Sequence, residues 1–302
     1  MSSIKIILNP VAGRGYSKKV EPEIIAHMNE LNLEFDLVQT KEKGHATELA
    51  EQAVMEGFKI IVAVGGDGTS NEAVNGIMNG GNKGKDVIYA PFAAGSGSDF
   101  SYNTDVPKNL KDACAKLKNG KSRKIDLGII RYPGQPSRYF DNQLGIGFDG
   151  TVTLVAKKYK RLRGMALYLP VVLQTVFVAY KPTSVKIVTD DETLELDTLQ
   201  ISVANGNREG GGFYMAPGAK LDDGYFDICI VSALSKPAIL GMIPKFMSGK
   251  HADHDATKML RTKKIKITSK DNLISHFDGE MLCTEGHEIE CEIVPKCLNI
   301  IY

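Results

Sequence analysis

The sequence predicts an α/β domain with a mostly parallel sheet, followed by a mainly antiparallel β-sandwich domain. Three observations predict it. Across roughly the first ninety residues, short apolar runs alternate with segments of helical periodicity. One run, Ile60-Ile61-Val62-Ala63-Val64, is apolar at every position and breaks at Gly65-Gly66. That is the pattern of a strand buried on both faces of a parallel sheet. Beyond about Asp126, strand-like runs follow one another with little helix between them.

The elements can be taken in order. IKIILNP is a short strand ending at a turn, and residues 20–31 carry a helical rhythm through Ile24, Ile25, Met28 and Leu31. EFDLVQT reads as a strand. Residues 45–57 read as a helix with Ala46, Leu49, Ala50, Ala53 and Val54 on one side. After the all-apolar strand comes a helix over residues 71–78, then the strand DVIYAPF. The later strands are LGIIRY, RYFDNQLGIGF, SVKIVTD, ETLELD, LQISVANG, YFDICIVS, KIKITS and CEIVP. Helix-like runs at 151–180 and 237–248 interrupt them. The polar stretch KNGKSRK places the boundary near residues 121–126. This gives an α/β domain over residues 1–125 and a β-rich domain over residues 126–302. The last strand is a candidate for packing back on the first domain.

The 302 residues are 43% hydrophobic and 24% charged, as in a globular protein able to bury a core without staples. A formal net charge of +1 excludes the strong basic excess of a general nucleic-acid binder. Five cysteines, an odd number without close pairs, read as reduced thiols of a cytosolic protein. The apolar stretch 165–180 contains Pro170 and Gln174 and falls short of the roughly 20 residues needed to span a bilayer. The expectation is a cytoplasmic protein whose membrane contact is peripheral, at the inner face.

Three loops follow three of the first strands. Gly65-Gly66-Asp67-Gly68-Thr69 combines glycines that bring backbone N–H groups close to an anion with the start of a helix, expected near Ser70 or Asn71. Asp67 inside an anion site suits a metal ion that bridges carboxylate and phosphate; the plainer alternative is a helix cap. Gly95-Ser96-Gly97-Ser98-Asp99 repeats the device and would form the opposite lip of a crevice at the carboxyl ends of parallel strands. Asn9-Pro10-Val11-Ala12-Gly13-Arg14-Gly15 adds a third turn, with Arg14 available to a phosphate. Downstream, Lys220-Leu221-Asp222-Asp223-Gly224-Tyr225 reads either as an exposed turn or as carboxylates and free carbonyls suited to a hard cation, and Asp278-Gly279-Glu280 by its pattern alone reads as another exposed turn.

In this order the motifs resemble the diacylglycerol kinase catalytic domain family, which also covers sphingosine kinases and bacterial lipid kinases. GGDGTSNEAVNG is the most specific piece; the related NAD kinases share its GGDGT core but not the continuation. NPVAGRG is similar to the family's first nucleotide loop, TKEKGHA to the segment whose Thr contacts ATP, and GSGSDF to its GTxNDF loop. The resemblance implies an ATP-dependent kinase acting on a lipid hydroxyl, diacylglycerol giving phosphatidic acid being the leading case. ATP would bind through Asn9, Pro10, Gly13, Arg14, Thr40, Gly65, Gly66, Asp67, Gly68, Thr69, Asn71, Glu72, Gly95 and Ser96. Asp67 and Asp99 would organise Mg2+ and the triphosphate, and Glu280 would be the general base. It further implies a structural magnesium at Asp223, with backbone carbonyls of Lys220 and Tyr225. Ser96 and Ser98 stand where the family has Thr and Asn. The alternatives are an NAD kinase and a nucleotide- and lipid-binding regulator without turnover. A homodimer is left open.

Weaker signals are the basic run 157–163 and the histidines. Lys157, Lys158, Lys160, Arg161 and Arg163 are either a solvated helix face or an attraction to anionic membrane. The neighbouring apolar run would line an acyl-chain pocket or simply pack in the core. His251 and His254 would share a helix face and could bind a metal only with a third ligand. His45 is expected to cap or pack near the nucleotide loop.

Overall fold

The computed structural model describes residues 3–95, 98–156, 159 and 165–302, without the side chains of 165–168. The chain divides into two units, one formed by residues 1–126 and 295–302 and the other by residues 127–294.

The first unit alternates strands and helices. In chain order these are β1 (Ile4–Leu8), α1 (Ala12–Glu30), β2 (Phe35–Gln39), α2 (His45–Glu56), β3 (Ile60–Gly65), α3 (Asp67–Asn79), β4 (Ile88–Ala93), α4 (Asp99–Asn103) and α5 (Leu110–Asn119). β1 pairs in parallel with β2 and with β3, and β3 with β4. The C-terminal residues Asn299 and Ile300 extend the sheet in parallel beside β4. Ile61, Val62 and Val64 of β3 are fully buried, as the continuous apolar run required. The carboxyl ends of β1, β2 and β3 meet through the main chain: Thr40 N–H donates to the Leu8 carbonyl at 2.9 Å and Asn9 N–H to the Val64 carbonyl at 3.0 Å. Helices α2 and α3 pack closely because residue 76 is glycine; a Cβ there would come within 2.2 Å of the Thr47 carbonyl.

One boundary differs from expectation in a way that matters. α3 begins at Asp67, not near Ser70 or Asn71, with Gly66 in an extended conformation just before it. Asp67, Gly68 and Thr69 are therefore the first helical turn itself. Their N–H groups are among those an α-helix leaves without intrahelical partners.

The second unit contains β5 (Ser122–Arg131, which crosses from the first), β6 (Arg138–Phe140), β7 (Gln143–Gly147), α6 (Phe148–Ala156), α7 (Met165–Gln174), β8 (Thr183–Thr189), β9 (Thr193–Ala204), β10 (Phe226–Ser232), α8 (Lys236–Ser248), β11 (Thr257–Thr262), β12 (Lys264–Phe277) and β13 (Glu280–Ile301). Its strand pairings are antiparallel: β11 with β10, β10 with β9, β9 with β7, β7 with β12, and β12 with β13. β8 bridges β9 and β12.

Alternation along β9 and β10 builds two cores. Ile201, Val203, Ile228 and Ile230 face one cluster with Phe140, Phe226, Ile265 and Ile289. Leu199, Cys229 and Val231 face the other, closed by Val152, Val172, Ile239, Met242 and Phe246 from helices α6, α7 and α8. Among the described residues the expected helical run 151–180 is thus α6 and α7, the latter followed by a π-helical turn at Thr175–Ala179, covering a sheet face. The basic run lies outside the described residues except for Tyr159. All five cysteines are free. Burial pushes the Cys114 thiol up to about 11, helped by nearby Glu23, and that of Cys229 up to about 12, helped by Asp149. Both stay protonated, hence unreactive, at neutral pH.

Candidate active site

In the first unit the sequence motifs converge at the carboxyl ends of the strands. Asn9 Nδ2 donates to Thr69 Oγ1 at 2.9 Å, tying the first loop to the first turn of α3. Gly13, Arg14 and Gly15 all lie in the left-handed region, at φ 53°, 55° and 83°. A Cβ on Gly13 would sit 2.4 Å from the Ala94 carbonyl, so only glycine lets this turn approach the end of β4. Arg14 adopts the same conformation with a side chain, a local strain of the kind that clusters in functional loops. Gly65 has the same close-approach role: a Cβ there would meet Thr69 at 2.5 Å.

Asp67 and the second loop are joined directly. Phe100 N–H donates to Asp67 Oδ1 at 3.1 Å, and Asp99 beside it is 3% exposed. Two expected metal-organising carboxylates therefore sit on adjoining helix starts. Gly95 belongs to this loop; Ser96 lies outside the described residues. Asn71 is buried in α3, with Asn75 Nδ2 donating to its carbonyl and side-chain oxygens. Glu72 is expected to contact nucleotide. Its carboxylate accepts from Gly44 N–H at 2.8 Å and from Ala46 N–H at 3.2 Å. It thereby shapes the turn that follows Thr40. His45 Nδ1 accepts from Lys41 N–H at 3.0 Å, in the packing role expected of it.

In the second unit, β12 and β13 join through Asp278 and Gly279, both left-handed at φ 46° and 78°. This is the Asp-Gly hairpin turn, but it is not an exposed one. Asp278 is 3% exposed and accepts backbone N–H groups of Asp141, Asn142 and Gln143 at 2.9, 3.1 and 2.9 Å. Its own N–H returns to the Gln143 carbonyl at 3.0 Å. A carboxylate clamped by three amides fixes the turn, and hence Glu280, the next residue and the first of β13.

Gly279 also lines a cavity of about 270 Å³ in the helix-covered core. Its walls are apolar (Phe148, Val152, Leu199, Met242, Ile243 and Phe246 among them), and Asp149, Glu209 and Gln200 supply polar groups. His276, one residue before Phe277, lies behind these carboxylates. Its Nε2 is 3.3 Å from Asp149 Oδ2 and 3.3 Å from Glu209 Oε1. Burial alone would push the Asp149 carboxyl up; electrostatic attraction and hydrogen bonding from the His276 ring, with hydrogen bonding from Glu209, hold it below the usual range.

The KLDDGY turn precedes β10. Asp223 Oδ1 accepts Tyr225 N–H at 3.2 Å and Oδ2 pairs with Arg261. The Arg261 guanidinium also lies over the Tyr225 ring and 3.7 Å from Asp227 Oδ1. Asp223 is thus paired with a guanidinium here, and the magnesium expected at Asp223 with backbone carbonyls of Lys220 and Tyr225 would have to displace Arg261 from it. His251 and His254 do not form a metal pair on one helix. His251 is buried on a short turn with Nε2 at the Met215 carbonyl (3.1 Å), and His254 Nδ1 accepts Ala256 N–H at 3.1 Å.

Sequence reasoning passed over Asp149, Glu209 and His276, and it read Asp278 as part of an exposed turn. The Gly-rich stretch GIGFDG, placed at a strand-to-helix junction like the first-unit loops, was the available signal for Asp149. Glu209 carried none.

Comparison with known proteins covers both units. Residues 3–130 match the diacylglycerol kinase catalytic domain, and residues 142–302 match the YegS C-terminal NAD kinase beta sandwich-like domain. The chain is 31% identical over 299 residues to YtlR of Bacillus subtilis, covering 94% of this chain and 95% of that protein. It is 30% identical over 281 residues to a diacylglycerol kinase of Staphylococcus aureus, covering 91% and 85%. A crystal structure of a diacylglycerol kinase from Bacillus anthracis superposes with a TM-score of 0.76 at 23% identity, covering 100% of this chain and 97% of that one.

Proposed function

We propose, from the premise that this chain belongs to the diacylglycerol kinase catalytic domain family, that it transfers the γ-phosphate of ATP to the hydroxyl of a lipid, with diacylglycerol as the leading acceptor. The observation that carries the proposal is the start of α3. Its first-turn amides are oriented as a phosphate cradle, and Asp67 in that turn is bonded to the amide following Asp99.

Phosphoryl transfer passes through a loose transition state with little covalent chemistry for a protein to perform, so positioning and charge stabilisation dominate. The turn at 13–15 and the amides of residues 67–69 cradle the triphosphate. Asp67 and Asp99 would hold the magnesium that accompanies ATP, which when bound would neutralise charge on the phosphate oxygens. Glu280, held by the Asp278 clamp, accepts the proton of the lipid hydroxyl as its oxygen attacks the γ-phosphorus. The apolar cavity takes the acyl chain, and its Asp149 and Glu209 face the polar head.

The lipid must come from a bilayer. No helix among the described residues is long and apolar enough to cross one. Leu169, Leu173 and Phe177, spaced four apart, are 46%, 38% and 56% exposed, and Val178 is 78% exposed. A stripe of this kind, which follows the basic run 157–163 in the sequence, suits shallow insertion into an anionic surface. The test is incubation with γ-labelled ATP and magnesium in mixed micelles of diacylglycerol, phosphatidylglycerol or a sphingoid base, with NAD in parallel. Label in a lipid product is expected. Label in NAD alone, or no ADP release, contradicts the proposal.

A further inference from the structure

Asp149, Glu209 and His276 come from three separate parts of the chain: the start of α6, the segment between β9 and β10, and the end of β12. Their side chains are 11%, 12% and 1% exposed, and one donor atom from each lies within 4.8 Å of the others. Three ionisable groups gathered this deep need a reason, because burying charge without close compensation is costly.

The separations are not those of short hydrogen bonds. An imidazolium bonded to a carboxylate is expected at about 2.7–2.9 Å. Here Nε2 stands at the longer ion-pair distance of 3.3 Å from both carboxylate oxygens, and neither Nε2 nor Asp149 Oδ2 makes an aligned, short hydrogen bond. The distances match the edge of a coordination tetrahedron instead. Bond lengths of about 2.0–2.2 Å to nitrogen and oxygen give ligand–ligand edges of about 3.3–3.5 Å. An octahedral magnesium at about 2.0–2.1 Å would give edges near 2.9 Å and does not favour imidazole.

One further feature fits. Gly145 of β7 floors the cluster: a Cβ there would lie 2.4 Å from His276 Nε2 and 2.3 Å from Asp149 Oδ2. The absence of that Cβ leaves the donors their place.

We propose that Asp149, Glu209 and His276 form a site for a divalent transition-metal cation of the zinc type at the polar end of the second-unit cavity. Two carboxylates and a neutral imidazole balance a doubly charged ion. Three protein donors leave one tetrahedral position for water or a headgroup oxygen from the cavity that Asp149 and Glu209 line.

The test uses the full chain, stripped with chelator, without ATP or lipid. Zn2+ is titrated by calorimetry, and Co2+ serves as a visible-absorption probe of four-coordination. One ion per chain is expected, with a tetrahedral Co2+ spectrum and no displacement by millimolar Mg2+. His276→Ala and Glu209→Gln should each weaken Zn2+ binding by more than about 100-fold, since losing a ligand exceeds the 10–100-fold cost of losing an outer partner. Glu209→Gln serves if His276→Ala fails to fold. Gly145→Ala should have a similar effect. Unchanged Zn2+ affinity in a folded variant, or loss only in a His251→Gln or His254→Gln control, would overturn the proposal. Zinc binding by a chain that phosphorylates no lipid would count against the kinase reading alone.

Discussion

The two units place their chemistry in opposite ways. The first presents main-chain N–H groups at the ends of parallel strands, with short contiguous motifs setting the geometry: Gly13 under Ala94, Gly65 under Thr69, Asp67 against Phe100. The second presents buried side chains gathered from distant segments, with Asp278 reaching residues 141–143 and His276 meeting residues 149 and 209. A backbone site tolerates side-chain change wherever the turn survives. A site of buried side chains fails when any one member is lost, because its partners are left without compensation.

That contrast can be broken or sharpened by substitution. The largest effect is expected for Asp278→Ala, which orphans three buried amides and should cost about 4 kcal/mol of second-unit stability, read as a lower urea midpoint. A loss under about 1 kcal/mol would show that water replaces the clamp. Next is Asp67→Asn, expected to lower kcat/KM for ATP roughly 100-fold, with kcat and apparent ATP affinity both reduced. An effect on kcat alone would remove Asp67 from ATP binding.

Glu72→Gln keeps one acceptor oxygen but loses the second and its charge at the start of α2. It should cost about 1 kcal/mol of thermal stability. The smallest effect is a slope. Burial lowers the His251 pKa from its ordinary 6.5, while bonds to Met215 and Lys245 and the charge of Asp253 oppose the shift. The folded chain therefore binds fewer protons there than the unfolded chain. Stability rises with pH up to about 6.5 and falls as pH drops below it. His251→Gln should flatten that part of the stability–pH curve measured by thermal melts; an unchanged slope would assign the effect to other groups.

The same contrast explains what the sequence could reveal. The parallel sheet, its loops and the antiparallel second domain were legible because apolar runs and Gly-rich turns are local signals. GGDGT named its own helix start to within a few residues; Asp67 begins α3 because extended Gly66 lets the helix nucleate immediately after β3. Asp278 looked like an exposed hairpin residue, since nothing near it in sequence announces the backbone of residues 141–143. Glu209 could not be found at all, because its partners lie sixty and sixty-seven residues away and meet it only in the folded chain. The pairing of Asp223 with Arg261 was equally hidden, because Arg261 arrives from β11.

The central claim is that Glu280 performs the proton transfer of phosphoryl transfer to a lipid. The most direct measurement compares Glu280→Gln with the wild type for ATP affinity by calorimetry and for turnover with diacylglycerol in mixed micelles. The account predicts near-equal ATP affinity and a kcat lowered by about 10²–10⁴-fold. A Glu280→Gln enzyme turning over at close to the wild-type rate would contradict it and move the base to Asp67 or Asp99.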